Sequence, residues 1–530
     1  MSKHRRTPTP FNPAWTRRQF MLASAALAGA AGLARQEQAL SATPRKGGTL
    51  RVSVTQQMTT LVSLQQGNNP EYMTGELMYS GLVRLGPDMV PRPDVAESWT
   101  SSADASEFTF KLRKGVKFHH GPELTAEDVV ATINAVLDPE TASPGRKNVG
   151  PITEVNALDR HTVQIKLDGS YADLPVTMGH PSARIVPAEV LARGLDTLAS
   201  GDYGCGPFKL VEYDPARILK VARYDGYHDA GYPYLDGVEQ ILYPDLAAES
   251  AALLNQETDV MLAVNNADFE RLSNTPGVTG LRQRTGRYLN LVMRQDQKPF
   301  DDLRVRQALS LCLDREALVA LVLEGFGRPA YDNPISPEYR YYIDHERPAH
   351  DVAQAKRLMT EAGYPNGVKV ELLCSTRPPL RTQLGVAVKE MARAAGFDID
   401  VKTVSHDEYI ANVWKKAPFY VGSWNMRPME DQMFTLLLTS DAPWADTAWN
   451  NTNFDEIVYR ARRTTSEEER ASLYAEAQRL CIDEKPYILP FYQDVLTAHR
   501  DYVKDYTMHP LQVSYYLDRT WLDEGAPQRG

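Results

Sequence analysis

The sequence predicts an α/β protein of two or three lobes, built on mixed sheets. Segments with the period-two alternation of strands and segments with helical periodicity follow one another along the whole chain, and no internal repeat interrupts them. Behind an N-terminal leader about 490 residues remain, which at roughly 150 per domain makes more than one lobe. A hydrophobic content of 43% and a charged content of 24% are those of an ordinary folded chain.

The leader comes first. A basic stretch runs into Thr16-Arg17-Arg18-Gln19-Phe20-Met21-Leu22, and an Ala/Gly-rich apolar segment extends from Met21 to Ala34. Paired arginines followed by Phe and then apolar residues resemble the twin-arginine export motif, a receptor-read address. The apolar segment holds about a dozen residues, short of the ~20 that span a bilayer. Residues 1–42 are therefore expected to be a twin-arginine signal peptide. Gly32 and Ala34, or Ser41 and Ala42, offer the small residues a signal peptidase needs. No cysteine lies near the leader, so the expectation is a periplasmic body without a lipid anchor.

The body opens with a strand at Gly47 to Val54, where glycines precede β-branched alternation. Phe108 to Arg113 alternates with period two, and Thr125 precedes the acidic-start helix Ala126 to Ile133. Further strands are expected at Thr162 to Leu167, Lys209 to Val221, Val238 to Tyr243, Tyr288 to Met293 and Val368 to Leu373. Helices are expected at Arg304 to Leu313, Glu316 to Leu323, Ala353 to Ala362, Leu380 to Ala395 and Ser466 to Glu484. Pro/Gly clusters at 139–151, 204–207, 299–302 and 327–337 mark candidate crossings between lobes.

Charge and motif content narrow the chemistry. The whole chain carries −10, and removing the six positive and one negative charges of residues 1–42 leaves about −15, which argues against a nucleic-acid partner. The four cysteines, Cys205, Cys312, Cys374 and Cys481, are isolated and read as buried apolar residues without a structural disulfide. No G-x-S-x-G, H-E-x-x-H, P-loop or paired C-x-x-C motif is present. His119-His120 reads as two separate side chains rather than a metal pair, and Asp301-Asp302 and Glu430-Asp431 read as helix-start acids. No cofactor and no metal site is expected.

One long pattern goes further. Pro91-Arg92-Pro93-Asp94-Val95-Ala96-Glu97-Ser98-Trp99, Phe108 to His119, Gly121 and Leu124 to Val129 run in order. They are succeeded by Gly204-Cys205-Gly206-Pro207-Phe208, Tyr232 to Asp236, Pro299 to Leu309 and Leu313-Asp314-Arg315. Together these residues resemble the extracellular solute-binding proteins of the oligopeptide, dipeptide and nickel class, family 5. The resemblance implies a periplasmic-binding-protein-like fold of the large type, two lobes about a hinge with the first discontinuous. On that pattern 46–90, 207–297 and 495–530 form lobe I, 91–206 an inserted subdomain and 298–494 lobe II. It implies a monomeric receptor that captures a small organic ligand, a peptide or amino-acid derivative, and delivers it to an inner-membrane ABC permease and ATPase complex. Opine-like, nickel-chelate or haem ligands belong to the same family range. The rival classes are a secreted hydrolase without a recognisable motif and a chaperone-like binder of unfolded chains.

The resemblance also points to the Trp-containing segment Trp424, Asn425, Met426 and Arg427 as ligand contacts, with Gln56, Gln57 and Asn69 as further pocket candidates. Peptide receptors of this type carry an aspartate three residues after the tryptophan, where this chain has Arg427. A guanidinium there suits a carboxylate or phosphate. The alternative is an internal pair with Glu430 or Asp431, with Pro428 as the first residue of a helix.

Overall fold

Eleven strands join in one mixed sheet. In chain order they are β1 (Thr49–Val54), β2 (Phe208–Asp214), β3 (Ile218–Arg223), β4 (Gly237–Leu242), β5 (Val260–Met261), β6 (Val278–Met293), β7 (Gly327–Pro329), β8 (Val368–Ser375), β9 (Phe397–Val404), β10 (Phe419–Trp424) and β11 (Tyr487–Arg500). Their order across the sheet is β9-β8-β10-β6-β11-β5-β1-β4-β3-β2, with β7 paired to β11. The computed structural model describes residues 43–200, 202–512 and 515–528, so Arg17, Arg18 and the leader lie outside the described residues. Lys46–Gly530 forms one body, which holds every strand and helix found among the described residues.

β1 lies parallel to both β4 and β5, and its Leu50, Val52, Ser53 and Val54 are all buried, as a strand covered on both faces requires. The long antiparallel pair β6 and β11 joins the two halves of the sheet. The first half of β6 pairs with Val495–Arg500 and its second half with Tyr487–Gln493. The register shifts between Gln283 and Arg287. There the Thr285 hydroxyl donates to the Gln493 carbonyl at 2.7 Å, and the Gly286 N–H meets the Met426 sulfur at 3.2 Å.

A separate four-stranded antiparallel sheet pairs Ala96–Ser101, Glu107–Leu112, Thr162–Leu167 and Ile152–Asp159 in that order. The helix Ala126–Leu137 buries Val129, Ile133 and Val136 in the same core as Phe108, Phe110, Val163 and Ile165 of that sheet. Its first turn is closed by the Asp128 carboxylate, which accepts the Thr125 N–H at 2.7 Å.

One core gathers Leu50, Val52, Phe110, Ile165, Phe208 and Tyr502; a second gathers Leu289, Leu291, Met293, Phe300, Leu384, Phe397, Phe419 and Ile488. A third holds Leu85 and Met89 together with Tyr288, Met426, Phe434, Tyr474 and Tyr487. The end of β6 thus packs with residues 300–491. β6 is a single strand that passes from one core to the other.

Two expectations change. Residues 209–221, read as one strand, are the hairpin β2–β3: Asp214 accepts the Ala216 N–H at 3.0 Å on its side chain and the Arg217 N–H at 3.0 Å on its carbonyl, closing a turn inside the run. Pro428 does not begin a helix. Met429 is extended, and the helix Glu430–Leu437 starts after it. The helices Leu303–Leu311, Arg315–Leu323, Val352–Glu361, Leu380–Arg393 and Glu467–Glu484 stand within one or two residues of their expected bounds. All four cysteines are buried free thiols.

Candidate functional site

β10 is the element that sets the site. It pairs antiparallel with β6, placing Tyr288 opposite Trp424 and Asn290 opposite Gly422, and the chain then leaves the sheet through Asn425, Met426, Arg427 and Pro428. Met426 is buried and fixed by its contact with Gly286, and the Arg427 N–H donates to the Tyr339 hydroxyl at 2.9 Å. This segment forms one wall of a cavity of about 240 Å³.

The opposite walls come from far away in sequence. The helix Asn69–Met78 is capped by Asn68, whose side chain accepts the Glu71 N–H at 3.1 Å, and it contributes Asn69 and Tyr72. Val176, Thr177, Gly179, His180 and Pro181 complete the enclosure. His180 Nδ1 accepts the Ser182 N–H at 3.2 Å, which leaves Nε2–H as the donor. Burial, then the positive charges of Arg427 and Arg184, push His180 down to about 3, so the imidazole is neutral at pH 7.

Arg427 is half-buried and has no carboxylate partner among the described residues. Both acids named as internal partners are engaged elsewhere. Asp431 forms a bidentate pair with Arg462, with Nε and Nη2 each 2.9 Å from a carboxylate oxygen. Glu430 accepts the Tyr341 N–H at 2.6 Å. The guanidinium instead rests over the Trp444 ring at 5.2 Å, and burial lowers its pKa against the opposing influence of Tyr339, Tyr288 and Tyr72. An arginine stays charged regardless. The cavity therefore presents a fixed, partly desolvated cation with neutral donors around it, an arrangement suited to an anion.

Trp424 faces a different space. It stacks on Trp444 at 5.6 Å, meets Trp414 edge-on at 6.3 Å, and lines a recess of about 150 Å³ with Arg381, Tyr409, Trp414, Gly422 and Asp446. A larger cavity of about 590 Å³ runs past Arg287, Gln383 and Gln493 beside the β6 register shift.

Of the residues expected from sequence, Asn69, Asn425, Met426 and Arg427 share the 240 Å³ cavity, and Trp424 lines the neighbouring recess. Gln56 and Gln57 are exposed and line none of these three spaces; the Gln57 carbonyl accepts the Asn68 side-chain N–H at 3.1 Å. Tyr72, His180, Arg381 and Asp446 escape a sequence reading. His119 and His120 take separate partners, Asp202 at 2.6 Å and Glu189 at 2.9 Å. Among the described residues no group of three His, Cys, Asp or Glu side chains is placed to hold a metal, and no helix is long and apolar enough to cross a membrane.

Comparison with known proteins places this geometry in a lineage. Residues 90–446 match the profile of the bacterial extracellular solute-binding proteins, family 5 middle region. The glutathione-binding protein GsiB of Escherichia coli K12 is 25% identical over 460 residues, covering 84% of this chain and 90% of the relative. The heme-binding protein A of Haemophilus influenzae is 30% identical over 427 residues, covering 75% and 78%. Among solved structures, AgaA from A. tumefacien R10 in complex with agropinic acid is 25% identical, with a TM-score of 0.74 over 90% of this chain and 99% of AgaA. The ABC transporter substrate-binding protein CtaP of Listeria monocytogenes shares the fold at a TM-score of 0.81. The chain belongs to the bacterial extracellular solute-binding proteins of family 5.

Proposed function

We propose that this chain is a periplasmic receptor that captures a carboxylate-bearing small molecule, a peptide or amino-acid derivative, and presents it to an ABC permease and ATPase. It binds rather than catalyses, acts as a monomer, and reaches its compartment by the twin-arginine route. One observation carries the ligand class: Arg427 stands in the 240 Å³ cavity without a carboxylate partner among the described residues. A desolvated guanidinium gains most from a bound anion. Asn425, Met426, Asn69, Tyr72 and His180 complete the contacts in that cavity, and Trp424 lines the neighbouring recess.

The relatives support an acidic or peptide-like ligand. GsiB is named for glutathione, AgaA was solved with agropinic acid, and DppA of Helicobacter pylori was solved with the peptide STSA. The lobes meet along β6 and β11. Their crossing lies at the register shift between Gln283 and Arg287, because Leu289, Leu291 and Met293 already belong to the second core. Closure about that crossing brings the walls of the cavity together on the ligand.

A thermal-shift panel of dipeptides, tripeptides, amino-acid conjugates, sugars and metal chelates tests this reading on the mature protein. A ligand that binds only the folded form raises stability by about 2.7 kcal/mol at a hundredfold excess over its Kd. Shifts confined to carboxylated compounds, and absent in Arg427→Ala, are expected. Shifts from uncharged sugars or chelates that survive Arg427→Ala would overturn it.

A further inference from the structure

The recess beside Trp424 is a polar site in its own right. Arg381 is 8% exposed, and its Nε and Nη1 are buried without a hydrogen-bond partner among the described residues; Asp446 is 2% exposed, and its Oδ2 is likewise unpartnered among them. The two line one recess without forming an ion pair. Tyr409 covers one face of the Arg381 guanidinium at 4.6 Å, and Trp414 and Trp424 close the sides. A buried cation and a buried carboxyl that share a space without pairing each lack a counter-charge in direct contact among the described residues.

We propose that this recess is a second recognition site, for an α-amino-acid head group whose carboxylate meets Arg381 and whose ammonium meets Asp446. The proposal rests on the reading of Arg427 as an anion clamp and deepens it: the ligand carries an anion at one end and a zwitterionic head at the other. The volume of about 150 Å³ equals that of roughly five waters, room for the five heavy atoms of such a head. Other occupants fit less well. A carboxamide satisfies the hydrogen bonds and leaves both charges uncompensated, and a simple anion leaves Asp446 unmatched. A linear α-peptide carries its ammonium and carboxylate at opposite ends and cannot bring both into one recess. Burial pushes Asp446 up to about 7, with Tyr420 donating to it and Lys415 and Arg294 acting in the opposite sense, so an entering ammonium restores the carboxylate.

Trp424 links the two sites. It stacks on Trp444, the ring that also carries Arg427. Arg427 lies three positions after Trp424, a span of at most about 11 Å. A ligand with a head group joined through its side chain to a second carboxylate matches that spacing.

Calorimetry with γ-glutamylglycine and glutarylglycine tests the proposal, since the second compound lacks only the ammonium. Wild type is expected to bind γ-glutamylglycine at least about tenfold more tightly. Asp446→Asn should erase that difference, and Arg427→Ala should weaken both. Equal binding of the two probes by wild type, with both still weakened by Arg427→Ala, would overturn the recess and leave the anion clamp standing. Binding of neither, or binding indifferent to Arg427→Ala, would refute the anion clamp and the recess with it. If Asp446→Asn fails to fold, the wild-type comparison decides alone.

Discussion

Replacing Arg427 by Met separates a ligand clamp from a structural arginine. Among the described residues the side chain has no ion pair to lose, and its cation–π contact with Trp444 at 5.2 Å is worth about 0.5–1 kcal/mol. Met keeps most of the apolar stem and removes the cost of a partly desolvated charge. The free protein is therefore expected to unfold within about 1 kcal/mol of wild type in urea. The ligand-bound protein loses two charge-assisted hydrogen bonds at about 1.5–3 kcal/mol each, so affinity falls by about a hundredfold or more. Urea unfolding and calorimetry on the same preparation measure both quantities. A loss of about 3 kcal/mol in the free protein with unchanged affinity would refute the reasoning, since that is the signature of a broken buried pair.

The same geometry sets three further outcomes. Asp332 is fully buried between Arg315 at 2.9 Å and Lys485 at 3.0 Å and accepts the Leu489 N–H at 3.0 Å, so Asp332→Asn should cost about 3–5 kcal/mol in urea unfolding. Burial pushes its carboxyl up, but Arg315, Lys485 and Ser310 outweigh it and hold it well below the usual range; its stabilisation is present above about pH 4 and is lost as pH falls further, which an acid titration of wild type against Asp332→Asn will show. Glu430 has the opposite sign: burial pushes it up to about 7, so its contribution is fully present below about pH 4 and is lost as pH rises through 7. Glu430→Gln should therefore be more stable than wild type at pH 8 by about 1–3 kcal/mol and close to it at pH 5. Gly286→Ala brings a Cβ to 2.8 Å from Ser336 Oγ, 2.9 Å from a Tyr339 ring carbon and 3.2 Å from Met426 Cγ, so it should cost about 1–3 kcal/mol in thermal unfolding and weaken ligand binding by displacing the Met426–Arg427 segment.

The sequence exposes the elements more fully than it exposes the site, for a physical reason. Strands such as Thr162–Leu167 and helices such as Leu380–Arg393 are written in local periodicity, and their bounds are read within a residue or two. The hairpin at 208–223 reads as one strand because both its arms alternate and the turn at Asp214 to Arg217 is short and free of glycine. The crossing between cores is not legible because nothing local in β6 marks where one core ends. Arg427 is legible through its spacing from Trp424, whereas its lack of a partner is not: that depends on Asp431 finding Arg462 thirty-one residues away. His180, Tyr72, Arg381 and Asp446 come from four separate segments and meet these spaces only through tertiary packing.

The central claim is that Arg427 holds the ligand's anion. The crystal structure of the mature protein bound to the carboxylated compound that shifts its stability tests this most directly. The account predicts a ligand carboxylate within hydrogen-bond distance of the Arg427 guanidinium, enclosed by Tyr72, His180 and Asn425. A ligand seated elsewhere, with Arg427 turned onto a carboxylate of the protein, would contradict it.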